Sequence, residues 1–188
     1  MRIITGSARG ANLITLEGEQ TRPTSARAKE AIFSILQFSI SGKRVLDLFA
    51  GSGQMGLEAL SRGADSAVFV DRSPKAVEVI KKNAEKTRLA DKCRIECGDF
   101  SEKLARLSGE KFDVVFLDPP YALGAIPKAL SALLGGRNID GDSCVVCEAG
   151  SDDDFFGGDA GLEAAFDVVR RAKYGVAHVI ILQPKEIE

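Results

Sequence analysis

The chain holds a single histidine, carries no basic excess, and contains no uninterrupted apolar run of membrane length. Each shortage excludes something. Twenty-five Lys and Arg stand against 27 Asp and Glu, a formal net charge of −2, so the basic footprint of a general nucleic-acid binder is missing. Nothing in the opening MRIITGSARG resembles a signal peptide, and no segment is apolar enough to cross a bilayer, which predicts a cytoplasmic protein without membrane contact. No internal repeat or low-complexity linker divides the sequence. With 188 residues, 45% of them hydrophobic, one domain over 1–188 with one substantial core is expected. The only four cysteines, Cys93, Cys97, Cys144 and Cys147, form two close pairs, and zinc must be weighed. RIEC and CVVCEA read as strands, however, where 144 and 147 face opposite ways and the linking residues are apolar. Buried, reduced core thiols and no metal are the expectation.

What is present is unevenly placed. Residues 1–44 hold seven Lys or Arg against three acids, a net of +4 that leaves −6 for the remainder. The first 40 residues are therefore the expected meeting place for a polyanion, with 41–188 as the core. In that N-terminal part, RIIT and NLITLE can form a small hairpin ahead of a helix over 25–38. Beyond it the pattern alternates. RVLDLF, SAVFVD, CRIEC and FDVVFLD are strand-like, and QMGLEALSRG, a segment capped by Ser73 with Pro74 in its first turn, and DFSEKLARL are helical. Near-continuous apolar strands suit a parallel sheet covered on both faces, a Rossmann-like α/β fold. FDVVRRAKYGVAHVIILQP predicts a closing antiparallel hairpin turning near Tyr174 and Gly175, and GSDDDFFGGDAG a flexible acidic loop.

The first chemical motif is DLFAGSGQMG, between the first core strand and its helix. Gly51, Gly53 and Gly56 keep the G-x-G-x-x-G spacing, in which missing side chains let backbone approach a ligand and a helix pack on a strand. Asp71 ends the next strand 20 positions after Gly51, where a carboxylate can accept from ribose hydroxyls. This pairing indicates a nucleotide and suits NAD and S-adenosylmethionine alike. Asp47, two positions before Phe49, leans towards the second, whose sulfonium and amino group are cationic. Asp99 in CGDF and Asp118 complete a row of four acids at four strand ends, the edge where open α/β sheets bind ligands.

FLDPPYAL is the second motif. Proline fixes its own backbone angle and disfavours helix in the residue before it, so Asp118, Pro119 and Pro120 form a rigid extended arm. Such an arm suits a planar exocyclic amino group as substrate. The Asp118 carboxylate and the Pro119 carbonyl can each accept one N–H, drawing the lone pair out of the ring towards a methyl sulfonium, while Tyr121 stacks on the base.

LDLFAGSG, FVDRS, GDF and DPPY, in this order and spacing, resemble class I S-adenosylmethionine-dependent methyltransferases that modify amino groups. MRIITGSARG, TRPTSARAKEAIFSIL and the late KYG resemble more narrowly the bacterial 16S ribosomal RNA guanine-N2 methyltransferase family. That resemblance implies a cofactor set of Asp47, Phe49, Gly51, Ser52, Gly53, Asp71, Arg72, Asp99 and Phe100, with Asp99 and Phe100 at the adenine. It implies that Asp118, Pro119, Pro120 and Tyr121 hold the target base, with Asp118 where an asparagine would point to protein glutamine substrates. It also implies ribosomal RNA as partner, within a small-subunit particle, and a monomeric enzyme. Arg22, Arg27, Lys29 and Lys173 are the expected RNA contacts, with Arg170 and Arg171 equally balanced between phosphate binding and plain solvation. His178 reads as structural. Asp152 to Asp154 depart from the pattern, since acids facing RNA would repel phosphate. DPPY is shared with enzymes acting on adenine and cytosine, so these bases stay open. A nicotinamide-dependent oxidoreductase fits the glycine loop but lacks a substrate domain, and a non-catalytic RNA-binding module leaves the row of acids unexplained.

Overall fold

The computed structural model describes residues 1–16, 23–120, 124–150 and 155–186. Seven strands form one sheet: β1 (Arg44–Asp47), β2 (Ser66–Asp71), β3 (Cys93–Cys97), β4 (Val114–Leu117), β5 (Cys144–Ala149), β6 (Phe166–Tyr174) and β7 (Ala177–Pro184). Their order is β3-β2-β1-β4-β5-β7-β6. The first five run parallel, while β7 lies antiparallel between β5 and β6, which is the predicted Rossmann-like sheet with its closing hairpin. Chain direction reverses outward from β1, so the carboxyl ends of the strands open a crevice there, the usual ligand position in such sheets.

Helices α1 (Pro23–Ile35), α2 (Gln54–Ser61), α3 (Pro74–Lys86), α4 (Phe100–Arg106), α5 (Ala125–Gly135) and α6 (Ala160–Ala164) cover both faces. One face carries α1, α2 and α3 through Ile32, Phe33, Leu57, Leu60 and Ile80; the other carries α4 and α5 through Leu104, Leu130 and Leu133. Strand alternation decides which side chain goes to which layer. On β5, Val146 joins the first layer and Cys147 the second, while Cys144 packs against the first, so the two cysteines do face opposite ways. Burial pushes the Cys147 thiol above its ordinary range, as it does that of Cys144, up to about 11. Of the four thiols expected to be buried only Cys147 is; Cys93 and Cys144 are half-buried, and Cys97 is exposed on edge strand β3. Among the described residues no group of three metal-ligating side chains forms.

Two elements differ from the sequence reading. Phe155 and Phe156, inside the expected acidic loop, are 3% and 5% exposed, and the chain then enters α6 under an Asp159 cap that accepts from the Leu162 N–H. Two adjacent phenylalanines gain more from the core than a loop gains from freedom. The acidic stretch 152–154 lies outside the described residues. Strand β6 is an edge with a bulge between Val168 and Arg170, and Arg170, Arg171 and Lys173 stand exposed on it. Charges and a bulge on an open edge discourage pairing with another sheet, which gives these residues a structural role as well.

The N-terminal segment forms the expected hairpin in its shortest form. Arg2 and Asn12 make one antiparallel bridge, supported by Ile3 N–H to Ala11 O at 3.0 Å and Leu13 N–H to Met1 O at 2.8 Å. Ile3 and Leu13 enter the same core layer as α1, so this segment shares the core of the sheet. Among the described residues no helix is long and apolar enough to cross a membrane.

Candidate active site

Four successive strand ends build the rim. Asp47 closes β1, Asp71 closes β2, Asp99 follows β3 and Asp118 follows β4. Between Asp47 and α2 the chain turns through Gly51 and Gly53, both left-handed at φ +53° and +78°. A side chain at Gly53 would be strained there and would press on Ile80, and one at Gly56 would collide with the Phe69 ring. The third glycine of the motif thus seats helix on strand, and the first two permit the left-handed turn.

The acids divide the work of holding this turn. Asp71 accepts from Gly51 N–H at 2.8 Å through one oxygen and from Ser73 N–H at 2.8 Å through the other. It therefore fixes the glycine loop. Asp47 is 3% exposed and accepts from Gly56 N–H at 3.0 Å. Burial raises its carboxyl to about 7, against the lowering effect of that hydrogen bond, and the Asp71 charge adds to the rise. Asp99 is exposed and caps α4, accepting from the Ser101 N–H at 2.9 Å and from its hydroxyl. Those hydrogen bonds hold its carboxyl below the usual carboxylate value. Beside it the rings of Phe49 and Phe100, both half-buried, lie 5.2 Å apart at 52° and form an apolar wall. Arg72 is exposed next to Asp71.

Ser52 is buried, and its carbonyl accepts from the Asn83 amide of α3 at 2.9 Å. The same amide also donates to Ile14 O at 2.9 Å, and Ile14 N–H donates to Asn83 Oδ1 at 2.7 Å. One fully buried asparagine therefore ties the N-terminal segment to the glycine loop. The sequence reading missed it. Its signal was an asparagine continuing the stripe of Val77, Ile80 and Ala84, where an apolar residue belongs.

On the α1 side of β4 and β5 a cavity opens, lined by Lys29 and Ile32 of α1, Gln54 and Met55 of α2, and Asp118 and Glu148 at the strand ends. Asp118 is exposed, Pro119 buried and Pro120 exposed, so the arm is anchored by its first proline. Tyr121 lies outside the described residues.

Lys29 corrects the expectation of a phosphate contact. It is 3% exposed, donates to Arg2 O at 2.9 Å and pairs with Glu58 at 3.2 Å. Desolvation lowers its pKa, against the raising effect of Glu58. A buried, paired ammonium has no face for an RNA backbone. Its partner Glu58 is fully buried, accepts from Ile4 N–H at 2.8 Å and Thr5 N–H at 3.0 Å, and pairs with Arg62 at 2.9 Å. Arg27 is exposed on α1, as is Lys173 on β6, whereas Arg22 lies outside the described residues. Because β6 runs parallel to β4 and β5, its Lys173 end comes out at the same edge of the sheet as Asp118 and Glu148. His178 stands on β7 opposite Ala149 and Lys173.

A reversing parallel sheet, a left-handed glycine turn held by acids, and a carboxylate arm beside an open cavity define a class I S-adenosylmethionine-dependent methyltransferase. The family model described as Conserved hypothetical protein 95 matches residues 1–183, and the chain belongs to that family, which includes ribosomal RNA small subunit methyltransferase D. It is 33% identical to the enzyme of that name from Haemophilus influenzae over 154 residues, covering 81% of this chain and 80% of the other. It is 37% identical over 150 residues to a Bacillus subtilis protein provisionally named rRNA methyltransferase YlbH, covering 79% of this chain and 82% of that one. Among solved structures, an Escherichia coli protein provisionally named methyltransferase yhhF superposes with a TM-score of 0.85 at 27% identity, covering 100% of this chain and 99% of that one.

Proposed function

We propose that the protein transfers the methyl group of S-adenosylmethionine to the exocyclic N2 amino group of a guanine in small-subunit ribosomal RNA. The observation that carries this reading is the placement of Asp118: an exposed carboxylate on a proline-anchored arm, opening on a cavity next to the cofactor rim. The residues present fit the cofactor. Gly51 and Gly53 allow the left-handed turn that brings the backbone to the rim, Asp71 and Asp99 offer acceptors for hydroxyl and amino groups, and Phe49 with Phe100 offers an apolar wall for the adenine. Asp47, ionised, stabilises a cation near the glycine turn. When bound, S-adenosylmethionine supplies an electrophilic methyl carbon.

Asp118 then has two tasks. Its oxygen accepts an N–H of the target amino group, as the Pro119 carbonyl accepts the other, which concentrates the nitrogen lone pair on the side facing the methyl group. As the new C–N bond would form at the expense of the methyl–sulfur bond, whose electron pair stays on sulfur, the nitrogen would become cationic, and the carboxylate would stabilise that charge until the proton passes to solvent. Tyr121, next along the chain, is assigned to stacking on the base by its chemistry. A paired guanine cannot reach this cavity, so the target is unpaired or flipped out, at a cost of a few kcal/mol.

Arg27, Lys173 and the neighbouring Arg170 supply exposed cations for phosphate, and Arg22 joins them on its charge. A monomer working in the cytoplasm on a particle-like assembly intermediate is the accompanying reading. Small subunits and naked RNA incubated with labelled cofactor test it together. Label mapped to one guanine as N2-methylguanine is expected; label on adenine or cytosine, or none on RNA, refutes it.

A further inference from the structure

Strand register brings a fifth acid into the site, one that the first four did not announce. Leu117 pairs with Cys147 at the carboxyl ends of β4 and β5, and both point into the layer under α4 and α5. The next residues, Asp118 and Glu148, therefore turn to the opposite face, where Phe116 and Val146 already lie, and both line the α1-side cavity. Two carboxylates on neighbouring strands line the same open cavity, and an ionised carboxylate only accepts hydrogen bonds. Guanine is the base whose edge answers this arrangement. It presents the N2 amino group and the N1–H side by side as donors, whereas adenine and cytosine place a ring-nitrogen acceptor beside their amino group. Gln54, in the same wall, is a donor suited to O6, the acceptor that completes the edge.

Resting on the reading of this cavity as the target-base site, we propose that Glu148 accepts the N1–H of the target guanine and thereby selects guanine over adenine and cytosine. Asp118 acts on the reacting nitrogen, and Glu148 reads the position beside it. An adenine or cytosine presented in the same orientation sets its ring lone pair against the Glu148 carboxylate. A site built to pair a substrate N–H rejects an analogue lacking it, because its own polar group is left unpaired.

The test uses RNA carrying guanine or 2-aminopurine at the mapped position; the analogue keeps the 2-amino group, lacks O6, and has an N1 acceptor in place of N1–H, so the change in preference on replacing Glu148 is what reports on N1. Initial rates are compared for the wild type, Glu148→Gln and Glu148→Ala at saturating S-adenosylmethionine. The wild type is expected to favour guanine by roughly a hundredfold or more. Glu148→Gln, whose amide can donate to N1, should narrow that preference below about tenfold through KM for RNA, with cofactor affinity unchanged. Glu148→Ala removes the acceptor and the repulsion together, so it should narrow the preference by slowing guanine and relieving the analogue. An unchanged guanine preference in either variant, with cofactor binding intact, overturns the inference. Failure of the wild type to methylate guanine RNA overturns instead the functional reading on which it rests.

Discussion

Replacing Glu58 with glutamine is the sharpest probe of how the N-terminal segment is held, because the change keeps the side chain's shape and removes only its charge. The carboxylate is fully buried and meets four donors: Ile4 N–H, Thr5 N–H, Lys29 Nζ and Arg62 Nε, at 2.8 to 3.2 Å. An amide offers one oxygen for this set and turns an NH2 group towards the rest. Lys29, 3% exposed, is left charged and unpaired, and removing one partner of a buried pair costs about 3–5 kcal/mol. Arg62 is 13% exposed and can recruit water, which favours the lower part of that range. For a chain of this size each kcal/mol moves Tm by about 2–4 °C, so a fall of roughly 6–20 °C is expected. Urea unfolding followed by circular dichroism gives the free energy directly. The double variant Lys29→Met with Glu58→Gln removes the stranded cation and should regain at least about 1 kcal/mol of the loss, since apolar replacement of a buried pair is often neutral. A loss below about 1 kcal/mol for Glu58→Gln, or a double variant no more stable than the single one, would refute this account of the pair.

Asp71→Ala leaves the N–H groups of Gly51 and Ser73 without their acceptor as well as removing a ribose partner. It should weaken S-adenosylmethionine binding by about 1–3 kcal/mol in titration calorimetry, and unchanged affinity removes Asp71 from the site. The folded pKa of Asp47, about 7, lies above its unfolded value near 3.9, so its contribution to stability is fully present below the latter and lost as pH rises through the former. Between about pH 4 and 7 the free enzyme should lose stability, affinity for the cationic cofactor should rise as pH passes through about 7, and Asp47→Asn should flatten both profiles. Asp118→Ala should slow single-turnover methyl transfer roughly a hundredfold, with cofactor affinity nearly normal; a wild-type rate sinks the mechanism. Reversing charge at Arg27 and Lys173 should weaken RNA binding and lower its salt slope by about one for each phosphate no longer neutralised, and an unmoved slope places the RNA elsewhere.

Much of the site was legible because its chemistry is local. Glycines at fixed spacing, an acid at a strand end and an acid before two prolines report their backbone setting directly, and the strand–helix alternation around them fixes which end of the sheet they occupy. Lys29, Asn83, Glu58 and Glu148 were misread or passed over because their roles depend on partners 27 to 69 residues away or on a neighbouring strand. Charge counting sees Lys29 as one of seven cations near the N-terminus; only the buried face of α2 shows it as the counterion of Glu58. A weaker hint existed in QMGLEALS, a helix too apolar to owe its glutamate to solvent, just as CVVCEA placed an acid at the end of its strand.

The long-range hydrogen bonds carry a consequence for how cofactor and RNA sites communicate. Asn83 holds Ile14 and Ser52 at once, and Glu58 joins Ile4 and Thr5 to Lys29 of α1, which lines the target cavity. A displacement of residues 1–16 would therefore strain the glycine loop through one connection and the cavity wall through the other. Cofactor bound at the loop should in turn stiffen the N-terminal segment, because linkage between two sites is reciprocal. The basic end of the chain is thus fastened by its buried polar groups to both the glycine loop and the cavity wall, and on the proposed function its exposed cations are the ones left to meet the RNA.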